Sequence, residues 1–157
     1  MSFASRQDAI DIQNEMPWEK RDRSATLYSM LRDTVDAFPD RPAVSYQLLS
    51  GATDKAQTMT WQQFHDQVCR AANLFRDLKI GESDVVALVL PNSLETAVAT
   101  IGGAVAGIVN PINPLLEPEQ IGAILRETNA KVVVTLKAFP KTDIAQKTAE
   151  AVRHAPA

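Results

Sequence analysis

The chain of 157 residues contains one cysteine, Cys69, and only two histidines, His65 and His154. A lone thiol cannot close an internal disulfide, which makes a reducing cytoplasm the simpler home. Neither sign of charge dominates: 16 Lys and Arg stand against 19 Asp and Glu, for a net charge of -3. Such a balance provides no field that would pull the chain onto nucleic acid or anionic lipid. The first residues, "MSFASRQDAIDIQNEMPWEKRDRS", lack the basic start and apolar run of a signal peptide, so no export is expected.

Continuous apolar runs are short as well. Between Glu95 and Glu117 no residue is charged, and Gly103 and Gly107 form a small-xxx-small pair. A spanning helix needs about 20 apolar residues. Asn110, Pro111, Asn113 and Pro114 interrupt this run, and a proline inside a helix costs about 3 kcal/mol. The run therefore reads as buried core. The reading of a small-residue membrane or interaction protein, built on residues 96–116, is the weaker one.

Several reactive constellations are missing. No "GxSxG" elbow occurs, and the glycines fit neither "GxGxxG" nor "GxxxxGK[ST]". Phosphate loops place glycine between a strand and a helix. Gly102, Gly103 and Gly107 instead fall late in a helical pattern. His65 and Cys69 are four residues apart and can share a helix face, but a tetrahedral metal needs two more ligands. Asp84, Glu95, Glu117 and Glu119 are expected at helix caps and first turns, where negative charge is favourable. No residue is assigned a catalytic, cofactor-binding or metal-binding role.

With 45% hydrophobic side chains the chain is long enough for one compact domain. Residues 1–24 show no clear period and read as an irregular arm anchored by Trp18; residues 25–157 read as an α/β unit. Thr26 caps a helix carrying Leu27, Met30, Leu31, Val35 and Phe38, and Pro39 stops it. "PAVSYQLL" and "AQTMTW" flank "SGATDK" as a hairpin. Thr60 and Gln63 form a capping box for a helix with the apolar face Trp61, Phe64, Val68, Ala71, Ala72, Phe75 and Leu78, with Gly81 just past its end.

"VVALVL", Val85 to Leu90, has the character of a strand covered on both faces. A helix from about Ser93 to Ala106 follows, with Asn92 and Glu95 at capping spacing and Gly107 as a left-handed exit. In the turn "LPNS", Leu90 to Ser93, the Asn92 side chain is expected to occupy the helix donors that an anion would otherwise use. "IVNPI" is a second strand, Pro118 opens a helix that Asn129 ends, "KVVVTL" is a third strand, and Asp143 to His154 is a last helix. Strands separated by helices pair in parallel, which predicts a partial doubly wound sheet preceded by a β-hairpin.

Taken in order, "TLYSMLRDTVDAFPDRPAV", "MTWQQF", "GESDVVALVLPNSLET" and "GGAVAGIVNPINPLLEPEQIGAILRETNAKVVV" resemble the N-terminal part of the AMP-forming adenylating enzymes. That superfamily includes acyl-CoA synthetases, adenylation domains and luciferases. Pro39, Asp40, Arg41, Pro42 and Ala43, then Thr60 to Phe64, then Gly81 and Asp84 to Ser93, then Ala104, Gly107, Pro111, Asn113 and Pro114 occupy positions of its motifs. The sequence departs from them in placing two residues between Gly81 and Asp84. "PINPLLEP" is more similar to acyl- and fatty-acid–CoA ligases than to peptide-synthetase domains.

The resemblance implies a parent enzyme that joins a carboxylic acid to coenzyme A through an acyl-adenylate, using ATP and Mg2+. It also implies that the family's phosphate loop, aromatic-Thr-Glu segment, ribose-holding aspartate and C-terminal lysine lie outside these 157 residues. The expectation is an N-terminal piece of a cytoplasmic acyl-CoA synthetase, inactive alone, binding no cofactor itself, completed by the remainder of the enzyme and prone to form a homo-dimer. A different expectation is a stand-alone α/β binding module that uses the crevice near Pro91 and Asn113.

Overall fold

A computed structural model describes residues 5–17, 20, 26–49, 51, 53–137 and 142–155. Trp18, expected to anchor the arm, lies outside them. The arm itself is not irregular throughout: Arg6–Glu15 form helix α1. Ser5 and Asp8 make a reciprocal capping box, Ser5 Oγ accepting the Asp8 N–H at 3.2 Å and Asp8 Oδ2 accepting the Ser5 N–H at 3.0 Å. The helix buries no residue. Its apolar side chains form no stripe, so local capping rather than period sets it.

Helix α2, Leu27–Ala37, starts at Thr26 and turns Leu31 and Val35 inward. Strands β1, Pro42–Tyr46, and β2, Gln57–Thr60, pair antiparallel. Thr60 ends β2 and caps α3, Trp61–Asp77: its Oγ1 accepts the Gln63 N–H at 3.2 Å while Gln63 Oε1 accepts the Thr60 N–H at 3.0 Å. Phe64, Val68, Ala72 and Phe75 are buried, whereas Leu78 is exposed at the C-cap. The left-handed residue after α3 is Lys79, φ 64°, not Gly81.

Strand β3, Val85–Val89, leads into α4, Leu94–Ala106, then β4, Ile108–Ile112, α5, Pro118–Glu127, β5, Ala130–Thr135, and α6, Ile144–Arg153. Both β4 and β5 pair in parallel with β3, giving the order β4-β3-β5. The expected parallel sheet and hairpin are both present. Asn129, φ 49°, supplies the left-handed exit of α5.

Gly107 does not play that part for α4. Its φ is -166° and ψ -137°, an extended backbone open to any residue. Glycine is required there by proximity: an added Cβ would lie 2.6 Å from the carbonyl oxygens of both Gly81 and Asp84. Gly102 faces α3, where an added Cβ would be 2.7 Å from Ala71 Cβ.

Three apolar clusters stack through the molecule. One face of the sheet, through Ala87 and Val89, packs on Ile121 and Leu125 of α5 and Ile144 and Ala151 of α6. The other, through Val86 and Leu88, packs on Phe75 of α3 and Ala99 and Ala106 of α4. Beyond α3 and α4, Leu31, Val35, Phe64 and Val68 join α2 and the hairpin to the outer side of α4, including Ala97 and Ile101. Helix α4 is therefore buried on two sides. That double burial explains the uncharged run, and among the described residues no helix is long and apolar enough to cross a membrane.

Candidate functional site at the carboxyl ends of the parallel strands

Each parallel strand ends in a turn that hands the chain to a helix, and the faces of those helices decide where a ligand has room. The chain leaves β3 through Leu90, Pro91 and Asn92 toward α4 on one face. It leaves β5 through Leu136 toward α6 on the other. Neighbouring strands whose connections diverge leave a crevice at their carboxyl ends. A cavity of about 410 Å³ occupies that place, between Leu90, Pro91 and Asn92 on one side and Leu136 and Thr142 on the other. The hairpin overhangs it with Tyr46, Leu48, Lys55 and Gln57.

Asn113, expected at this crevice, does not line it. Its Oδ1 accepts the Leu115 N–H at 3.0 Å, within its own turn. The exit of β4 leads to α5, which packs across β3, so the opening falls between β3 and β5.

The "LPNS" turn is closed by its own side chains, but not as expected. Ser93, not Asn92, is the N-cap: its Oγ accepts the Thr96 N–H at 3.1 Å. The Thr96 hydroxyl in turn donates to the Pro91 carbonyl. Asn92 is exposed and lines the crevice. Beside it, the Thr135 hydroxyl donates to the Val89 carbonyl at 3.1 Å and lies 3.1 Å from the hydroxyl of buried Thr148. These bonds fix the end of β5 to β3 and α6.

A second, larger cleft of about 780 Å³ opens between α2, β1 and α4. Its walls are mainly apolar, with Leu31, Tyr46, Trp61, Phe64 and Ile101 among them. Tyr46, Asn92 and Ser93 line both cavities. The apolar cleft and the more polar crevice therefore meet at one turn.

The other candidate residues lie elsewhere. His65 and Cys69 do face one another on α3, with Nε2 to Sγ at 3.6 Å, and the Tyr28 hydroxyl approaches Cys69 at 3.9 Å. The Tyr28 and His65 rings stack with centroids 5.8 Å apart. His65 Nδ1 is buried without a hydrogen bond; Asp66, at 3.7 Å, is within ion-pair reach only. The contact with Cys69 raises the Tyr28 pKa. Among the described residues no group of three His, Cys, Asp or Glu can hold a metal ion.

Glu95 and Glu119 occupy first turns, as expected. Glu117 is the N-cap of α5, and its N–H donates to Gln120 Oε1 at 3.0 Å. Asp84 serves no helix. Its carboxylate accepts the Gly81 N–H at 2.8 Å and the Lys131 ammonium at 2.9 Å, and these hold its pKa below the ordinary value.

The family model described as "AMP-binding enzyme" matches residues 31–157. The marinolic acid–CoA ligase of Pseudoalteromonas sp. (strain SANK 73390) is 32% identical over 146 residues, which are 92% of this chain and 22% of that protein. The long-chain-fatty-acid–CoA ligase of Bacillus subtilis (strain 168) is 33% identical over 136 residues, 83% of this chain and 22% of that protein. Among solved structures, a Mycobacterium tuberculosis fatty acyl CoA synthetase superposes with a TM-score of 0.64 at 28% identity, over 77% of this chain and 23% of that one. The chain thus spans less than a quarter of the length of these relatives.

Proposed function

Because the chain belongs to the AMP-binding enzyme family, we propose that it is the N-terminal part of an ATP-dependent carboxylate–CoA ligase. The observation that carries this reading is the match over residues 31–157, which includes every strand of the sheet and both turns that form the crevice. The whole enzyme would couple a carboxylic acid to AMP at the expense of ATP with Mg2+, then pass the acyl group to the thiol of coenzyme A. Fatty acids are the favoured substrate class, since two of the similar proteins act, by their names, on fatty acids. The apolar cleft beside the crevice suits a part of the wall around an aliphatic tail. A cytoplasmic home is part of the same proposal, supported by the unpaired Cys69.

The described residues of the crevice do not fit a nucleoside triphosphate. Phosphoryl chemistry needs positive charge and aligned donors on the transferring group. Among the described residues Lys55 is the only cation lining the crevice, which it shares with Glu95, and the donors of the "LPNS" turn are partly used by Ser93. No step through ATP is assigned to these residues. Their proposed work is architectural: α4 and the strand ends hold one wall of the site.

The test is ATP–pyrophosphate exchange with fatty or aromatic acids. Background rates from the pure 157-residue chain are expected, and turnover of even a few per minute would remove the inactivity part of the reading. The crevice itself favours a second reading, a binding module without catalysis, for which calorimetry would show saturable uptake of a small ligand by this chain alone.

A further inference from the structure

Helix α3 brings residues four apart onto one side, so His65 stands one turn before Cys69. Phe64 and Val68, the residues just before them in each turn, enter the core. His65 and Cys69 are left at the border of α3 with α2, from which Tyr28 reaches across to both. All three are only partly buried, and none of them lines the crevice.

The two donor atoms on α3 already stand at a metal's spacing. His65 Nε2 and Cys69 Sγ are 3.6 Å apart. A zinc ion bonds thiolate sulfur at about 2.3 Å and imidazole nitrogen at about 2.0 Å, so tetrahedral angles place the two ligand atoms about 3.5 Å apart. An ion held in line between them would need the sum of those bonds, about 4.3 Å. The pair therefore forms one edge of a zinc tetrahedron.

The surroundings of the imidazole suit the same role. The Tyr28 ring stacks on it with centroids 5.8 Å apart and fixes its plane. A ring nitrogen that binds metal carries no proton, which puts the hydrogen on Nδ1. His65 Nδ1 is buried and makes no hydrogen bond, and Asp66 Oδ1 lies 3.7 Å from it, just outside hydrogen-bond reach. Positive charge at Nε2 draws that carboxylate in, and a carboxylate behind the histidine is the usual outer partner of a zinc ligand. On the sulfur side the Tyr28 hydroxyl, 3.9 Å from Sγ, is placed to donate to a thiolate.

We propose that His65 and Cys69 bind one Zn2+ ion as a two-point chelate on α3, with water in the remaining positions and Asp66 and Tyr28 as outer partners. Two protein ligands make an open site, in keeping with the lack of a group of three His, Cys, Asp or Glu among the described residues. On binding, the thiol gives its proton to water and the freed sulfur electron pair bonds the metal. The proposal does not rest on the ligase reading.

The test uses the isolated, reduced chain with Zn2+ alone as the probe. Calorimetry should show saturable binding that Cys69→Ser and His65→Gln each abolish, that Asp66→Asn weakens about tenfold, and that His154→Gln leaves unchanged. Circular dichroism of each variant checks that α3 is still formed. A second arm needs no variant: saturating Zn2+ should slow alkylation of Cys69 by iodoacetamide about tenfold or more, because the free thiolate is the nucleophile, and a chelator should restore the rate. Equal binding by folded Cys69→Ser or His65→Gln overturns the site, and so does alkylation at one rate with and without zinc.

Discussion

Gly107 stands against the backbone of Asp84: a Cβ at Gly107 would lie 2.6 Å from the Asp84 carbonyl oxygen, the same oxygen that accepts the Ile108 N–H at 2.9 Å. The start of β4 is thereby pressed onto the segment that precedes β3. Neither carbonyl near Gly107 can retreat without losing its place in the loop. Gly107→Ala should cost about 2–4 kcal/mol in chemical denaturation. A loss within about 0.5 kcal/mol, typical of surface changes, would mean that the loop yields freely.

Gly102 tests the contact between α3 and α4 in a way that can be reversed. A Cβ there would sit 2.7 Å from Ala71 Cβ and 3.2 Å from Val68 O. Gly102→Ala should destabilise by about 1–3 kcal/mol. Adding Ala71→Gly should recover part of that loss, with a coupling of about 1 kcal/mol in a double-mutant cycle. Simple additivity would refute the contact.

The Asp84 carboxylate titrates below its ordinary value because the Gly81 N–H and Lys131 stabilise the charged form. A depressed folded pKa gives stability that is present above the unfolded value and is lost as pH falls through the folded one. The stability difference between the wild type and Asp84→Asn should therefore be greatest near neutrality and shrink below about pH 4. Denaturation midpoints measured across pH 2.5 to 7, roughly the range in which carboxylates titrate, check this; a difference that grows on acidification has the wrong sign.

The chain has two tyrosines, Tyr28 and Tyr46. Tyr28 holds its proton more tightly than an ordinary phenol, chiefly through its hydrogen bond with Cys69. Absorbance titration should show one phenol ionising late, absent in Tyr28→Phe and restored to ordinary behaviour in Cys69→Ala. If Tyr28→Phe leaves the late transition in place, the assignment fails.

The apolar groove of about 530 Å³ between α3 and β5, where Leu74 is exposed, should drive the isolated chain to self-associate. Light scattering at high concentration should give a mass above that of the monomer, and Leu74→Lys should lower it. A monomer at every concentration contradicts the expectation.

The elements that could be read from sequence are those set by neighbours along the chain. "VVALVL" announced a covered strand, and Thr60 with Gln63 announced the start of α3, because both signals lie within a few residues. Helix α1 was hidden for a different reason: its capping box at Ser5 and Asp8 is local, but it buries no residue and its apolar side chains give no period. The misread glycines needed distant information. Lys79 takes the left-handed position after α3 in spite of its side chain, and Gly107 is glycine because of a segment far back along the chain. Likewise Pro91 was legible as the end of a strand, while Leu136, across the crevice, joins it only once the order β4-β3-β5 is known.

That order bears on how the chain assembles. Strand β3 is the first of the three in sequence and the middle one in space, so during synthesis it leaves the ribosome with both edges bare. Its pairing with β4 closes the shorter loop and is entropically easier; its pairing with β5 must span two helices and another strand. The most deeply buried strand is thus the one that waits longest for its second neighbour. Until Ala130–Thr135 are made, one edge of Val85–Val89 stays bare and open to wrong pairing.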